Sequence, residues 1–156
     1  MPRIALSERE GTNFEKALSK VPTLKSLYDE LYHFLWNDRL LSKEMKEKIR
    51  LYLAYINGCV TCMSLSYIEN EELNTKIAEA IRNNDFSHFS PLEQKLFSFI
   101  EQYRISPRSI TDQDVEELRH HFTDDQLIHV LGLINLFDSF HKLIVSLDLY
   151  DFCSRS

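Results

Sequence analysis

The sequence predicts an all-α protein folded as one domain over residues 1–156, and three observations predict it. Glycine and proline are scarce, 3 and 4 in the whole chain, where a protein of hairpins and tight turns needs more of both. Apolar residues recur at intervals of three and four rather than two. Ser and Thr stand just ahead of several of these runs, where they can cap a helix. The length and an apolar share of 44% allow a real core without disulfide staples.

The elements follow in order. Thr23 to Asn37 carries Leu24, Leu27, Leu31, Phe34 and Leu35 at helical spacing. Ser42 caps a helix through Ile49, Leu53 and Ile56, which breaks at Asn57-Gly58. A helix is expected from Cys59 to about Glu71, and a shorter one over Asn74 to Arg82. Ser90-Pro91-Leu92-Glu93 is a capping box with proline at the first helical position, opening a helix with Leu92, Leu96, Phe99 and Ile100. Thr111-Asp112-Gln113-Asp114 opens another. Thr123-Asp124-Asp125-Gln126 opens the last and longest, to about Leu149. This helix is apolar nearly all round from Leu127 to Phe137, so it is either the central helix of the domain or part of a subunit interface.

Composition also excludes function classes. A net charge of -6 argues against a surface that tracks phosphates, and so against nucleic acid as partner. The N-terminus, Met1 to Glu8, has no apolar core of a secretory signal. The longest near-apolar stretch, Leu127 to Phe137, is too short to span a bilayer and contains His129 and Asn135, so no membrane partner is expected. Three cysteines make an odd count, unlike a secreted disulfide framework. A reducing, cytoplasmic location fits best, and there a Cys-x-x-Cys pair more often means redox or metal chemistry.

That pair is Cys59-Val60-Thr61-Cys62, directly after Asn57-Gly58. On a helix a three-residue step turns about 300°, so both side chains share a face, with Cα atoms about 5–5.5 Å apart. This lies inside the window of a disulfide, which can close and reopen with little backbone movement. A helix start lowers a thiol pKa and so favours the reactive thiolate. Structural zinc needs four ligands. Cys153 is the only other thiol, and His120 and His121, being adjacent, point about 100° apart, so no metal site is expected. The plainer alternative is two buried cysteines packing as small hydrophobes; their place beside Gly58 weakens it. If Asn57-Gly58 reverses the chain, Ser66 and Glu47 lie about 12 and about 16 Å above the turn, less than one helical turn apart in height. By spacing alone, Glu47 reads as a solvated member of the charged run Glu44 to Lys48.

Glu47, eleven intervening residues and Cys59-x-x-Cys62 resemble the signature of the alkyl hydroperoxidase D and carboxymuconolactone decarboxylase superfamily. The stretch Glu47 to Cys59, the Ser90-Pro91-Leu92-Glu93 box, Ile110-Thr111-Asp112 and the long last helix fit it too, so the resemblance runs from about residue 25 to 150. It implies a single helical domain of about seven or eight helices with a central antiparallel helix pair. It also implies a peroxidase that needs no cofactor, since the decarboxylase branch lacks the dithiol. By this resemblance Cys62 attacks the peroxide and Cys59 resolves it as a disulfide. Glu47 and a histidine four residues after Cys62 relay the proton, and a thiol or lipoyl-type protein is the reductant. Residue 66, however, is Ser66, which passes a proton along a hydrogen-bond chain but does not hold one near neutrality. The last helix offers a substitute base, His141, one turn from Asp138, which could orient it. The other five histidines have no chemical context.

The sequence-based expectation is therefore a thiol-dependent peroxidase with candidate residues Cys59, Cys62, Glu47, Ser66 and His141, assembled as a homo-oligomer, a trimer or a hexamer. The alternatives are a thiol–disulfide oxidoreductase with little peroxidase activity, or a non-catalytic helical oligomer whose dithiol senses redox state.

Overall fold

The computed structural model describes residues 1–151, which form eight α-helices, one short 3-10 turn and no strand. The helices are α1 (Asn13–Leu18), α2 (Pro22–Asn37), α3 (Lys43–Ile56), α4 (Val60–Ser64), α5 (Glu71–Asn83), α6 (Pro91–Ile105), α7 (Asp112–Arg119) and α8 (Asp124–Leu147). Cys153 lies outside the described residues. The all-helical expectation holds.

Local chemistry sets the boundaries. Thr12, Ser90, Thr111 and Thr123 each accept from the backbone N–H three residues on, and the residue there returns a bond to the cap's own N–H. Such caps contribute about 1 kcal/mol each. Ser42 caps α3 by accepting from the Met45 N–H. Lys46, fully buried, donates to the carbonyls of Trp36 at 3.0 Å and Asp38 at 2.5 Å, closing the C-terminal end of α2 onto α3.

The core forms around α3 and α8. Asn57 meets Asp138 while Leu53 lies beside His141, so the two helices run antiparallel. Ile49 and Leu53 of α3, Leu96 and Ile100 of α6, and Val130, Leu133 and Ile134 of α8 are wholly buried together. Each such side chain contributes about 1.5–3 kcal/mol on burial. By length and composition α8 could cross a membrane, unlike its shorter near-apolar stretch; here it packs against α2, α3 and α7.

Two boundaries and one whole helix depart from the sequence reading. The helix after the dithiol stops at Ser64 rather than near Glu71, because side chains take the carbonyls that a continued helix would need. Arg50 donates to the carbonyls of Cys62 and Leu65, and Asn74 donates to that of Met63. Leu65 is extended, at φ -92° and ψ 140°. α5 begins earlier, at Glu71, since Asn70 caps it by accepting from the Leu73 N–H. α1 was not expected, although Thr12-x-x-Glu15 is a capping box. It is tied to the far end of the chain by Asn13, which bonds the Tyr150 carbonyl and the Asp151 carboxylate.

Candidate active site

The turn that ends α3 builds the site. Gly58 has φ 65°, a left-handed conformation that costs glycine nothing. It lets the Cys59 N–H return to the Ala54 carbonyl at 3.0 Å. Cys59 then caps α4, and Cys59 and Cys62 are joined as a disulfide with Cα atoms 5.2 Å apart, inside the separation expected from helical spacing. The two sulfurs are not equivalent. Cys59 is wholly buried in a cluster with Ala54, Ile144 and Leu149. Cys62, 5% exposed, lines a cavity of about 420 Å³ that Cys59 does not line. The cavity is walled by side chains from α1, α2, the α4 segment and α8, with Phe14, Tyr32, Tyr67 and Phe140 supplying aromatic surface.

Glu47 is not a solvated member of a charged run; it is wholly buried. Its carboxylate is fully engaged. Arg50 Nε donates to Oε2 at 2.8 Å, Arg50 Nη2 donates to Oε1 at 2.5 Å, and the Tyr67 N–H donates to Oε1 at 3.0 Å. The remaining guanidinium bonds go to the carbonyls of Cys62, at 2.9 Å, and Leu65, at 2.6 Å. The Tyr67 ring covers the guanidinium, 4.0 Å from its centroid. Glu47 thus holds Arg50, and Arg50 holds the backbone of the Cys62 turn. Sequence reasoning missed Arg50, whose signal was its position three residues after Glu47, on the same helix face.

Ser66 is not brought to the dithiol. Chain reversal does carry this segment to the height of Glu47, but it is Tyr67 that meets the carboxylate. The Ser66 hydroxyl is exposed, donates to the Ile68 carbonyl at 2.7 Å and borders a separate surface hollow beside Glu69 to Glu72. The four-residue step that places a side chain over a helical cysteine does not apply once the helix has ended at Ser64.

His141 is brought there. It lines the same cavity as Cys62, is 3% exposed and stacks on Phe137. Burial, reinforced by the Arg50 guanidinium, pushes its pKa down to about 3, so the ring is neutral. The Leu53 carbonyl accepts from the ring, and Nδ1 has no hydrogen-bond partner. With the single ring proton assigned toward that carbonyl, at Nε2, Nδ1 keeps its lone pair. Asp138 does not orient the ring. Its carboxylate binds Arg104 Nε at 2.7 Å, Asn57 Nδ2 at 2.9 Å and Lys142 Nζ at 2.6 Å, partners that hold its pKa below the usual carboxylate range despite burial. Two further cavity residues escaped the sequence reading. Thr61 Oγ1 is buried without a partner, and burial together with the nearby Tyr67 pushes the Tyr32 phenol up to about 12. Among the described residues no three His, Cys, Asp or Glu side chains converge as metal ligands.

No protein-family model and no curated protein sequence matches the chain. Solved structures do. An uncharacterised peroxidase-related protein from Silicibacter sp. TM1040 superposes with a TM-score of 0.74 at 16% identity, over 97% of this chain and 92% of that one. The alkylhydroperoxidase AhpD core of a peroxidase-related protein from Ralstonia eutropha JMP134 gives 0.74 at 18% identity, over 91% and 77%. The debrominase Bmp8, in complex with 2,3,4-tribromopyrrole, gives 0.71 at 15% identity, over 91% and 78%. At these identities the likeness is one of fold, and the chain carries the alkyl hydroperoxidase D-like fold of peroxidase-related proteins, with a Cys-x-x-Cys pair at its site.

Proposed function

We propose that this protein is a thiol-dependent oxidoreductase that reduces hydroperoxides through Cys62 and Cys59, with a thiol or lipoyl-type protein returning the electrons. The observation that carries the reading is the unequal access of the two sulfurs: Cys62 lines the cavity and Cys59 lies behind it. In the reduced protein the Cys62 thiolate attacks the terminal peroxide oxygen. The O–O bond breaks, the alkoxide leaves as the alcohol on gaining a proton, and Cys62 becomes a sulfenic acid. Cys59 attacks that sulfur, water leaves and the disulfide closes. Two electrons from the reductant, with two protons, reopen it. Glu47 is a positioning residue that acts through Arg50. His141 accepts a hydrogen bond at Nδ1, and its low basicity makes it a poor store for a proton, so turnover is slow compared with a site whose histidine titrates near neutrality.

Free thiols counted before and after one equivalent of hydroperoxide test this reading. Loss of two thiols, followed by repeated cycling with dihydrolipoamide, supports the enzyme. Loss without cycling leaves a redox sensor on a non-catalytic scaffold. Disulfide exchange without peroxide consumption leaves a thiol–disulfide oxidoreductase. A second reading, reductive dehalogenation of an aromatic ring, has the aromatic cavity walls and the debrominase's shared fold in its favour. There Cys62 takes the halogen, the ring carbon takes a proton, and Cys59 displaces halide as the disulfide closes.

The protein is also proposed to self-associate, through α2 rather than α8. Leu24, Leu27, Leu31 and Phe34 are 42–59% exposed, and their three-four-three spacing is the seam that one helix offers another. A second copy of α2 matches that seam, and Ile128, 69% exposed, extends it. Light scattering should give a multiple of 18.5 kDa, and Leu27→Glu with Leu31→Glu should reduce it to 18.5 kDa. A wild-type monomer at micromolar concentration refutes the assembly.

A further inference from the structure

The cavity over Cys62 has a polarity that bears on which molecule it admits. Two of its lining side chains, His141 and Thr61, carry polar atoms with no partner, Nδ1 and Oγ1. His141 is more than nine-tenths buried, so water does not readily satisfy Nδ1, and an unpartnered buried acceptor is costly to keep. A neutral imidazole carries one N–H and one lone pair, and assigning the N–H toward the Leu53 carbonyl leaves the lone pair at the unpartnered Nδ1.

The arginine and lysine of the cavity wall are already paired. Arg50 is paired with Glu47, and Lys25 is paired with Asp29 at 2.5 Å. Glu15 is held by the N–H and hydroxyl of Thr12, and Asp151 accepts from the Asn13 N–H. An anionic ligand therefore finds no free counter-charge and would lose its hydration without compensation. The rest of the wall is largely apolar, aromatic rings beside Leu18, Leu65, Ile144 and Leu149, and Phe14 and Phe140 meet edge to face at 5.0 Å. A volume of about 420 Å³ suits a molecule of one or two rings.

We propose that the cavity selects a neutral aromatic molecule bearing one N–H or O–H donor, which is accepted by His141 Nδ1 while the ring lies among Phe14, Tyr32 and Phe140. The proposal rests on the reading that this cavity is where Cys62 meets its substrate, and it fixes the substrate's chemical class: a phenol-like, azole-like or aralkyl hydroperoxide donor rather than an anion. Thr61 Oγ1, beside Cys62 in sequence, is free to donate to a polar substituent of the same ligand. His141 is then a specificity-determining residue, whatever its part in proton movement.

The test uses 4-bromophenol and its methyl ether, 4-bromoanisole, which share ring and halogen but differ in the donor. Binding is measured by calorimetry on the disulfide form at neutral pH, where no thiol chemistry intervenes. Access to the site is measured on the reduced form as protection of Cys62 from iodoacetamide. The phenol should bind more tightly than the ether by about 5- to 150-fold, the worth of one buried hydrogen bond, and should protect Cys62. His141→Phe should erase the difference between the two probes while leaving the ether's affinity within a few-fold, and His141→Gln, which keeps an acceptor, should retain part of it. Equal binding of phenol and ether to the wild type, tighter binding of benzoate than of phenol, or phenol binding without protection of Cys62 overturns the proposal, and these wild-type comparisons stand even if a variant does not fold. Failure of peroxide cycling with phenol-selective binding intact would remove the peroxidase reading and leave this one standing.

Discussion

Replacing His141 with phenylalanine should flatten the acid limb of the stability curve. In the folded protein burial, then the Arg50 charge, hold the ring's pKa down to about 3, against 6.5 for an ordinary histidine. Between those values the unfolded chain binds a proton that the folded chain does not, so stability rises with pH across the window. Stability is therefore at its full value above about pH 6.5 and falls as pH drops toward about 3. For one such site the loss between pH 8 and pH 5 is about 2 kcal/mol. Phenylalanine removes the titration, and the hydrogen bond to Leu53 that it also removes adds an offset independent of pH. Carboxylates remain largely ionised at pH 5 and, like the other histidines, are common to both proteins, so they cancel in the difference. Urea unfolding at pH 8, 7, 6 and 5 reads it directly: the wild type should lose about 2 kcal/mol more than the variant over that range. Parallel pH profiles would mean that the ring titrates normally and is not buried from water as described.

Three further outcomes follow from the site. Ser66→His should change peroxide turnover less than about threefold, because residue 66 faces the surface hollow and not Cys62; a rise of about 10²-fold, the worth of a positioned acid or base, would show that the loop rearranges to restore a relay. Glu47→Gln should destabilise the fold by about 3–5 kcal/mol in urea unfolding, since it leaves the buried Arg50 charge uncompensated; a loss of turnover with unchanged stability would instead make Glu47 a direct participant. Cys62→Ser should abolish peroxide consumption, whereas Cys59→Ser should still consume one equivalent and stop at a sulfenic acid trapped by dimedone; the reverse pattern would make Cys59 the attacking sulfur.

Much of this arrangement is legible in the residues, and what is not has a physical reason. The Ser90, Thr111 and Thr123 caps are local, and so are the helix starts they set. The Cys59–Cys62 separation depends on three residues of helical geometry and matches the expectation. The end of α4 is not local. It is decided by Arg50, twelve and fifteen residues upstream of the carbonyls it binds, and by Asn74, eleven residues beyond the one it takes. For the same reason Ser66 looked like a helical neighbour of Cys62 and is a loop residue. Lys46 and Glu47 looked solvated because charge runs usually are; both are buried because carbonyls and a guanidinium meet them. α1 had a local signal in Thr12-x-x-Glu15, but its short apolar content, Phe14, Ala17 and Leu18, gains meaning only once α8 provides the surface it covers.

As proposed above, Cys59 and Cys62 act as one reversible two-electron couple. Peptide mass mapping of the reduced protein after one equivalent of hydroperoxide tests it most directly. The expected result is the loss of two hydrogens, a single link between Cys59 and Cys62, and full reversal by a dithiol. A dominant link to Cys153, or two thiols unchanged while peroxide is consumed, would contradict it.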